Sequence, residues 1–300
     1  HFASNVVRPP YEANSAYLQV TSGCSHNACR FCTYYKDAPF AVSPESEIVE
    51  DLKEMASYGV PFPRIWLQGA DPFLLTFEKL KRIAELIHQY LPFVKTIGGY
   101  GRVNSLRNKT VDQLRELKNL GYSGIVFGVE SGDEKVLTYM NKGYHADEIV
   151  PQLSKMDQAG IPYEVIFLSG LGGKGYGLDH AKKTAAVFNQ LHPDRILIAG
   201  LTIFPDTPLM KDVRSGEFEE ATEGERILEL KEFLTDLTID TLIDATNASI
   251  ITAIYGQIPA QKQDMIDRLQ AVYDTYGEQG LRQMRDSLGA VSYTHLTLPT

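Results

Sequence analysis

From residue 16 to about 215, short apolar runs alternate with stretches whose apolar residues recur every three or four positions. Runs of that length bounded by Gly, Pro and Asn read as buried strands, and the stretches between them as amphipathic helices facing a core. The pattern predicts strands over 17–21, 64–68, 94–98, 124–128, 163–168 and 196–202. Helix boundaries are marked as well. Ser43 reads as an N-cap with Pro44 at the first helical position, Ile48, Leu52 and Met55 follow at helical spacing, and Gly59 ends the run. Thr110 and Gln113 form a capping-box pair ahead of Leu114 and Leu117, and Gly121 closes that helix. Strands alternating with helices imply βα units around a parallel sheet, an α/β class. Six units are too few for a closed eight-fold barrel, so the expected architecture is a partial, open (β/α)6 barrel with its chemistry at the carboxyl ends of the strands.

Beyond residue 215 the pattern changes to acidic helix formers with no predicted strand, and Gly256-Gln257-Ile258-Pro259 reads as a turn before a helix carrying Met265, Leu269 and Tyr273. The chain is therefore divided into a TIM-like partial barrel with its lead-in over 1–216, a helical C-terminal extension over 217–291, and a tail over 292–300. That tail breaks the helical pattern and reads as adapter or vector sequence. Among 300 residues, 43% apolar and 22% charged, no run reaches the length of a membrane span. The net charge of −9 is dispersed, giving no phosphate-tracking surface, so long nucleic acid is not the expected partner. The expected location is a reducing cytoplasm.

The cysteines support that location. All three fall within nine residues directly after the first predicted strand, in Gly23-Cys24-Ser25-His26-Asn27-Ala28-Cys29-Arg30-Phe31-Cys32. An odd, clustered set is unsuited to a disulfide framework. Three thiolates converging on one loop suit an iron–sulfur cluster with one coordination position open, while Cys24, Cys29, Cys32 and His26 could instead form a structural Cys3His zinc site. Both readings stand on spacing alone, with iron–sulfur ahead.

The same loop resembles the GC-x-x-N-x-C-x-F-C form of the radical SAM superfamily, in the branch holding the Elp3, methylthiotransferase and oxygen-independent coproporphyrinogen oxidase type domains. The resemblance implies that Cys24, Cys29 and Cys32 bind three irons of a [4Fe-4S] cluster and that S-adenosylmethionine (SAM) chelates the fourth. It extends along the chain. Gln68-Gly69-Ala70-Asp71-Pro72 stands where the superfamily carries a Gly-Gly-Glu-Pro type segment that binds the SAM amino group, with Ala70 and Asp71 departing from it. Gly128-Val129-Glu130-Ser131-Gly132 followed by Asn141-Lys142-Gly143 resembles a G-x-E-S-G and N-K-G signature, implying SAM contacts for Glu130, Ser131 and, toward its carboxylate, Lys142. Phe31 in the cysteine loop, Arg102 after the third strand, and Leu168 and Gly170 in Leu168-Ser169-Gly170-Leu171-Gly172-Gly173 complete the implied cofactor contacts, the last pair on the adenine side. Phe204-Pro205-Asp206-Thr207-Pro208-Leu209 is similar to the family's P-G-T-P-L, with Asp206 for the usual glycine. Arg8-Pro9-Pro10-Tyr11-Glu12-Ala13 and the segment 247–269 resemble an uncharacterised subgroup of the branch.

What the resemblance implies is a radical enzyme: reductive cleavage of SAM to a 5′-deoxyadenosyl radical that abstracts hydrogen from a small molecule. A flavodoxin or ferredoxin would supply the electron. Tyr34, Tyr100, Arg102 and Tyr163 are the candidates for aiming the substrate, with a structural core or rim role the more ordinary one for each tyrosine and an equally ordinary one for Arg102. A methylthiotransferase is disfavoured, because a second cluster needs cysteines that this sequence has already committed, and a cobalamin-dependent enzyme is likewise disfavoured within these residues, which hold no cobalamin-type domain. The competing class is a zinc-stabilised binding protein or scaffold.

Overall fold

The apolar runs become the parallel strands of one sheet. The computed structural model describes residues 1–4 and 6–295, with side chains described through residue 287; the expected tail 292–300 lies in part, at 296–300, outside the described residues. In chain order the first elements are β1 (Ala16–Gln19), β2 (Thr21–Ser22), β3 (Ala41–Val42), α1 (Glu45–Ser57), β4 (Arg64–Gln68), α2 (Phe77–Tyr90), β5 (Thr96–Gly101) and α3 (Val111–Asn119). Next come β6 (Tyr122–Glu130), α4 (Glu134–Tyr139), α5 (Ala146–Ala159), β7 (Tyr163–Ser169), α6 (Gly177–Phe188) and β8 (Arg195–Gly200). The chain ends through α7 (Pro208–Ser215), α8 (Glu223–Asp236), β9 (Thr241–Ala245), β10 (Ile254–Ile258) and α9 (Lys262–His295). The sheet has eight strands in the order β1, β4, β5, β6, β7, β8, β9, β10. Pairing is parallel from β1 through β6 and between β8 and β9, and antiparallel between β9 and β10.

Several sequence boundaries move for identifiable reasons. The strand expected at 94–98 begins at Thr96, because the Val94 amide still closes the turn leaving α2 by donating to the Leu91 carbonyl. Pro44, not Ser43, is the N-cap of α1; its carbonyl accepts from the Glu47 and Ile48 amides, and no side chain caps the helix. Thr110 and Gln113 make the reciprocal capping box as expected. The segment 217–291 is not helical throughout, since β9 and β10 lie inside it. Gly256-Gln257-Ile258, read as a turn, belongs to β10, where Ile254, Gly256 and Ile258 are buried and the residues between them exposed. Among the described residues no helix is long and apolar enough to cross a membrane.

The chain divides into two compact units that interleave in sequence. The first comprises His1–Asn27, Tyr34–Gly128 and Pro151–Glu164; the second comprises Ala28–Thr33, Val129–Val150 and the chain from Val165 onward. In the first, Leu18, Val20, Ile65, Leu67 and Ile97 are buried with Leu80 and Ile87 of α2. At the amino ends of its strands, Arg64 donates through Nε to both Glu12 oxygens (2.8 and 3.0 Å) and through Nη1 to the Ser123 carbonyl. In the second, Phe167 of β7 stacks on Phe233 of α8 at 4.1 Å, with Phe188 of α6 edge-on.

Candidate active site

The three cysteines leave the sheet between β2 and β3, whose short antiparallel ladder (Thr21 with Val42, Ser22 with Ala41) closes the base of the loop. All three are free thiols, each partly buried. In the first unit, Asn27 takes a positive φ of 44°, which lets its amide reach the Cys24 Sγ at 3.4 Å while its side chain donates to the Tyr35 carbonyl. In the second unit, the Cys32 amide donates to the Cys29 carbonyl at 3.5 Å. Arg30, between those cysteines, is clamped from several sides. Its amide donates to the Met140 carbonyl, its carbonyl accepts from Leu209, and its guanidinium makes a two-pronged contact with the buried Asp212 at 3.0 and 2.7 Å. Tyr139 also donates to Asp212, and Asn141 holds the Ala28 carbonyl at 3.0 Å. The Phe204 to Leu209 segment thus serves the cysteine loop, with Thr207 as the N-cap of α7. Among the described residues no three His, Cys, Asp or Glu side chains gather as ligands of one metal ion.

Also in the first unit, the turn after β4 is tied to the cysteine loop. The Ala70 amide donates to the Gly23 carbonyl, and Ser25 donates to the Asp71 Oδ2 at 2.5 Å. Only glycine fits at position 69: φ is +125° and a Cβ there would lie 2.0 Å from the Thr21 Oγ1. Gln68 is buried with both amide atoms unpartnered, and Asp71 is buried with its Oδ1 unpartnered. Burial pushes the Asp71 carboxyl upward, opposed by the Ser25 hydrogen bond and the Arg102 charge. Arg102 is itself buried, its amide donating to Ser105 at 3.0 Å. Of the tyrosines, Tyr100 meets Trp66 edge-on at 5.2 Å, Tyr163 is buried, and Tyr34 is 42% exposed.

Two groups here escaped the sequence reading, Asn104, whose buried Oδ1 is unpartnered, and Lys109. Lys109 is 3% exposed, donates to the Phe73 and Ser105 carbonyls at 2.8 and 3.0 Å, and is brought down to about 8 by burial, with Asp71 opposing. No motif marks it; a lysine next to a helix start looks solvated. Its folded pKa lies below the unfolded one, so the penalty for burying the charge is complete below about pH 8 and fades as pH rises toward 10.5. Wild type should therefore gain about 3 kcal/mol relative to Lys109→Met across that window. Urea unfolding from pH 7 to 10.5 checks this, and a pH-independent difference between the two proteins contradicts it.

In the second unit, Glu130 ends β6 with φ +68°, a conformation few non-glycine residues adopt. Asn141 is similarly placed, with φ +52° just before Lys142. Such strain persists where surrounding structure enforces it, commonly at functional sites. The Lys142 ammonium lies 3.5 Å from the Glu130 carboxylate, both nearly enclosed, and burial pushes the Glu130 carboxyl upward against the pull of Lys142. Ser131 is fully buried, but its hydroxyl accepts from the Asp133 amide and so shapes the start of α4. Phe31 and Leu168 belong to an apolar cluster with Met140, Leu171 and Leu209. Gly170 has φ +80°, and a Cβ there would strike the Arg226 guanidinium at 2.3 Å. Its amide is held by the buried Glu229, which also takes the Nδ1 of the fully buried His180 at 2.7 Å. Glu229 lies in α8, far along the chain from the motif it supports.

Comparison with known proteins finds distant relatives. A tRNA-2-methylthio-N(6)-dimethylallyladenosine synthase of Hydrogenovibrio crunogenus is 24% identical over 218 residues, 68% of this chain and 44% of the relative. An uncharacterised protein of Methanocaldococcus jannaschii is 26% identical over 236 residues, 75% of this chain and 72% of the relative. The chain spans less than half the length of the two methylthio synthases it matches. Among solved structures, the radical SAM methyltransferase TsrM from Kitasatospora setae aligns with a TM-score of 0.56 at 17% identity, covering 69% of this chain and 40% of that one. Methylornithine synthase aligns with 0.52 at 16%, covering 85% and 68%. The shared fold is an α/β partial barrel. The sequence profile of the radical SAM superfamily matches residues 18–188, more than half of the chain, and the chain therefore belongs to that superfamily, with the [4Fe-4S] cluster and SAM that membership implies.

Proposed function

We propose that this radical SAM enzyme cleaves SAM reductively and uses the product to take hydrogen from a small-molecule substrate. One observation carries the reading: the chain's three cysteines share one loop, so a four-iron cluster held by it keeps one iron for SAM. When bound, the cluster and SAM together supply one-electron cleavage of the sulfonium to a 5′-deoxyadenosyl radical.

The residues present suit that pair. Cys24, Cys29 and Cys32 supply the soft ligands, with Arg30 and Asn27 fixing the loop on either side of them. The unpartnered Asp71 oxygen and Gln68 amide are what a buried ammonium and its neighbouring carboxylate need, since burial without such partners is costly. Glu130 and Lys142 offer the complementary charges, Lys142 toward the carboxylate of SAM. Ser131 orders the backbone beneath them, and Arg102 adds a positive charge beside Asp71. Phe31 and Leu168 exclude water with their apolar cluster, and the Gly170 turn lies on the adenine side. A small-molecule substrate and a flavodoxin- or ferredoxin-type donor complete the reading.

Anaerobic reconstitution with iron and sulfide, followed by reduction in the presence of SAM, tests it. The expected result is a brown protein with four irons per chain that releases methionine and 5′-deoxyadenosine. A colourless protein carrying one zinc, inert to SAM under reduction, would establish the scaffold reading instead.

A further inference from the structure

In the first unit, Asp71 and Arg102 each stand at the start of a short 3-10 turn, and one buried ammonium ties the two turns together. Asp71 is the N-cap of the turn Pro72–Leu74, and Arg102 that of the turn Val103–Leu106. Carbonyls at the far end of such a turn find no partner inside it. Lys109 takes one from each: its Nζ donates to the Phe73 carbonyl at 2.8 Å and to the Ser105 carbonyl at 3.0 Å. Its backbone amide holds the Leu106 carbonyl at 3.1 Å, and the Lys155 ammonium of α5 reaches that same carbonyl at 3.0 Å. The Lys109 ammonium also lies 5.4 Å from the centre of the Phe73 ring, on which Tyr122 and Phe127 pack edge-on.

An apolar side chain would fill this space without the cost of burying a charge, and neither acceptor of the Lys109 ammonium is a carboxylate. Asp71, ahead of the first turn, and Glu78 of α2 favour its charge, while Lys155 opposes it; Arg102, ahead of the second turn, acts on Asp71. Burial outweighs all of them and brings Lys109 down to about 8. Below that pH it is an ammonium with charge-assisted bonds to both carbonyls, about twice as strong as neutral ones. Above it, a neutral amine holds the same two turns more weakly.

We propose that Lys109 is a positioning residue for SAM: its ammonium fixes the two turns so that Asp71 and Arg102 meet the amino-acid end of the cofactor at one spacing, and SAM affinity falls when that ammonium loses its proton. The residue acts through Asp71 and Arg102. The link to SAM rests on the contacts assigned to those two side chains under the radical reading; the bracing of the turns does not.

The test titrates SAM into reconstituted holoprotein without reductant, so that binding is read apart from turnover, at about pH 7 and about pH 9. The amino group of SAM titrates in the same window, so the readout is the ratio of the two dissociation constants in wild type against that ratio in each variant. Across the interval the ammonium fraction of Lys109 falls from about nine-tenths to about one-tenth. Wild type should therefore lose about fivefold more affinity than Lys109→Arg, which stays charged, or Lys109→Met, which has no charge to lose. Lys109→Met should bind about fivefold more weakly than wild type at the lower pH and about equally at the higher. Either variant carries the test if the other does not fold. A packing role alone moves affinity by the same factor at both pH values, so a wild-type ratio equal to that of the folded variants overturns the proposal and leaves the radical reading standing. Holoprotein that binds no SAM at either pH overturns that reading and the proposal with it.

Discussion

Alanine in place of Cys24, Cys29 or Cys32 should leave a folded chain that no longer holds a complete cluster, with reductive SAM cleavage lowered at least about a thousandfold, to background. The effect is large because no spare ligand exists: these are the chain's three cysteines, and no fourth thiol can move in. Folding should survive, because each thiol is only partly buried and the loop is held by other contacts, notably the Arg30 clamp on Asp212, Met140 and Leu209. His26→Ala is the informative control. In a Cys3His zinc site it would remove a ligand; in the cluster reading it removes a loop side chain, so iron content and colour persist. Iron and sulfide content, the visible spectrum and 5′-deoxyadenosine release measure the outcome. A single-cysteine variant that keeps full colour and turnover, or a His26→Ala protein as bleached as the cysteine variants, would sink the assignment.

The strands that position this loop were legible because their residues are apolar on both faces. Ile65, Trp66 and Leu67 are all buried, a run that no amphipathic helix produces. Strands β9 and β10 were hidden by context. Thr241-Leu242-Ile243-Asp244-Ala245 follows an acidic helix and ends with a charge that pairs with Arg195, so it resembles a continuation of that helix. Ile254-Tyr255-Gly256-Gln257-Ile258 carries a clear period of two, but Gly256 and the following Pro259 make a turn equally plausible. The site divides along similar lines. Cysteine spacing and short motifs mark residues by their neighbours in sequence, and those residues were found. Glu229, Asp212, Lys109 and Arg226 each have at least one partner brought to them only by folding, Gly170, Arg30, Phe73 and Ser169, from 36 to 182 positions away in the chain. Positive φ at Asn27, Glu130 and Asn141 is a second hidden layer: asparagine hints at it twice, while nothing in a glutamate does.

Glu229 is where that hidden layer has its largest expected effect on stability. Its carboxylate is 1% exposed and serves two groups that have no other visible acceptor, the Gly170 amide at 2.5 Å and the His180 Nδ1 at 2.7 Å. His180 is fully buried and its Nε2 already lacks a partner, so Glu229→Ala leaves the whole imidazole unsatisfied, frees the Gly170 amide and removes a negative charge beside Arg226. Losing one member of a buried charged network costs about 3–5 kcal/mol. For a chain of this size that lowers Tm on the order of 10 °C. Glu229→Gln keeps an oxygen for Gly170 and loses the charge, so it should fall between wild type and alanine. Because Gly170 sits at φ +80° against the Arg226 guanidinium, its turn has little freedom to relax. The glutamine variant should therefore also bind SAM several-fold more weakly while its cluster spectrum stays unchanged. Thermal unfolding and SAM titration of the reconstituted proteins measure both effects, and an alanine variant within about 1 kcal/mol of wild type would show that the turn holds its shape without Glu229.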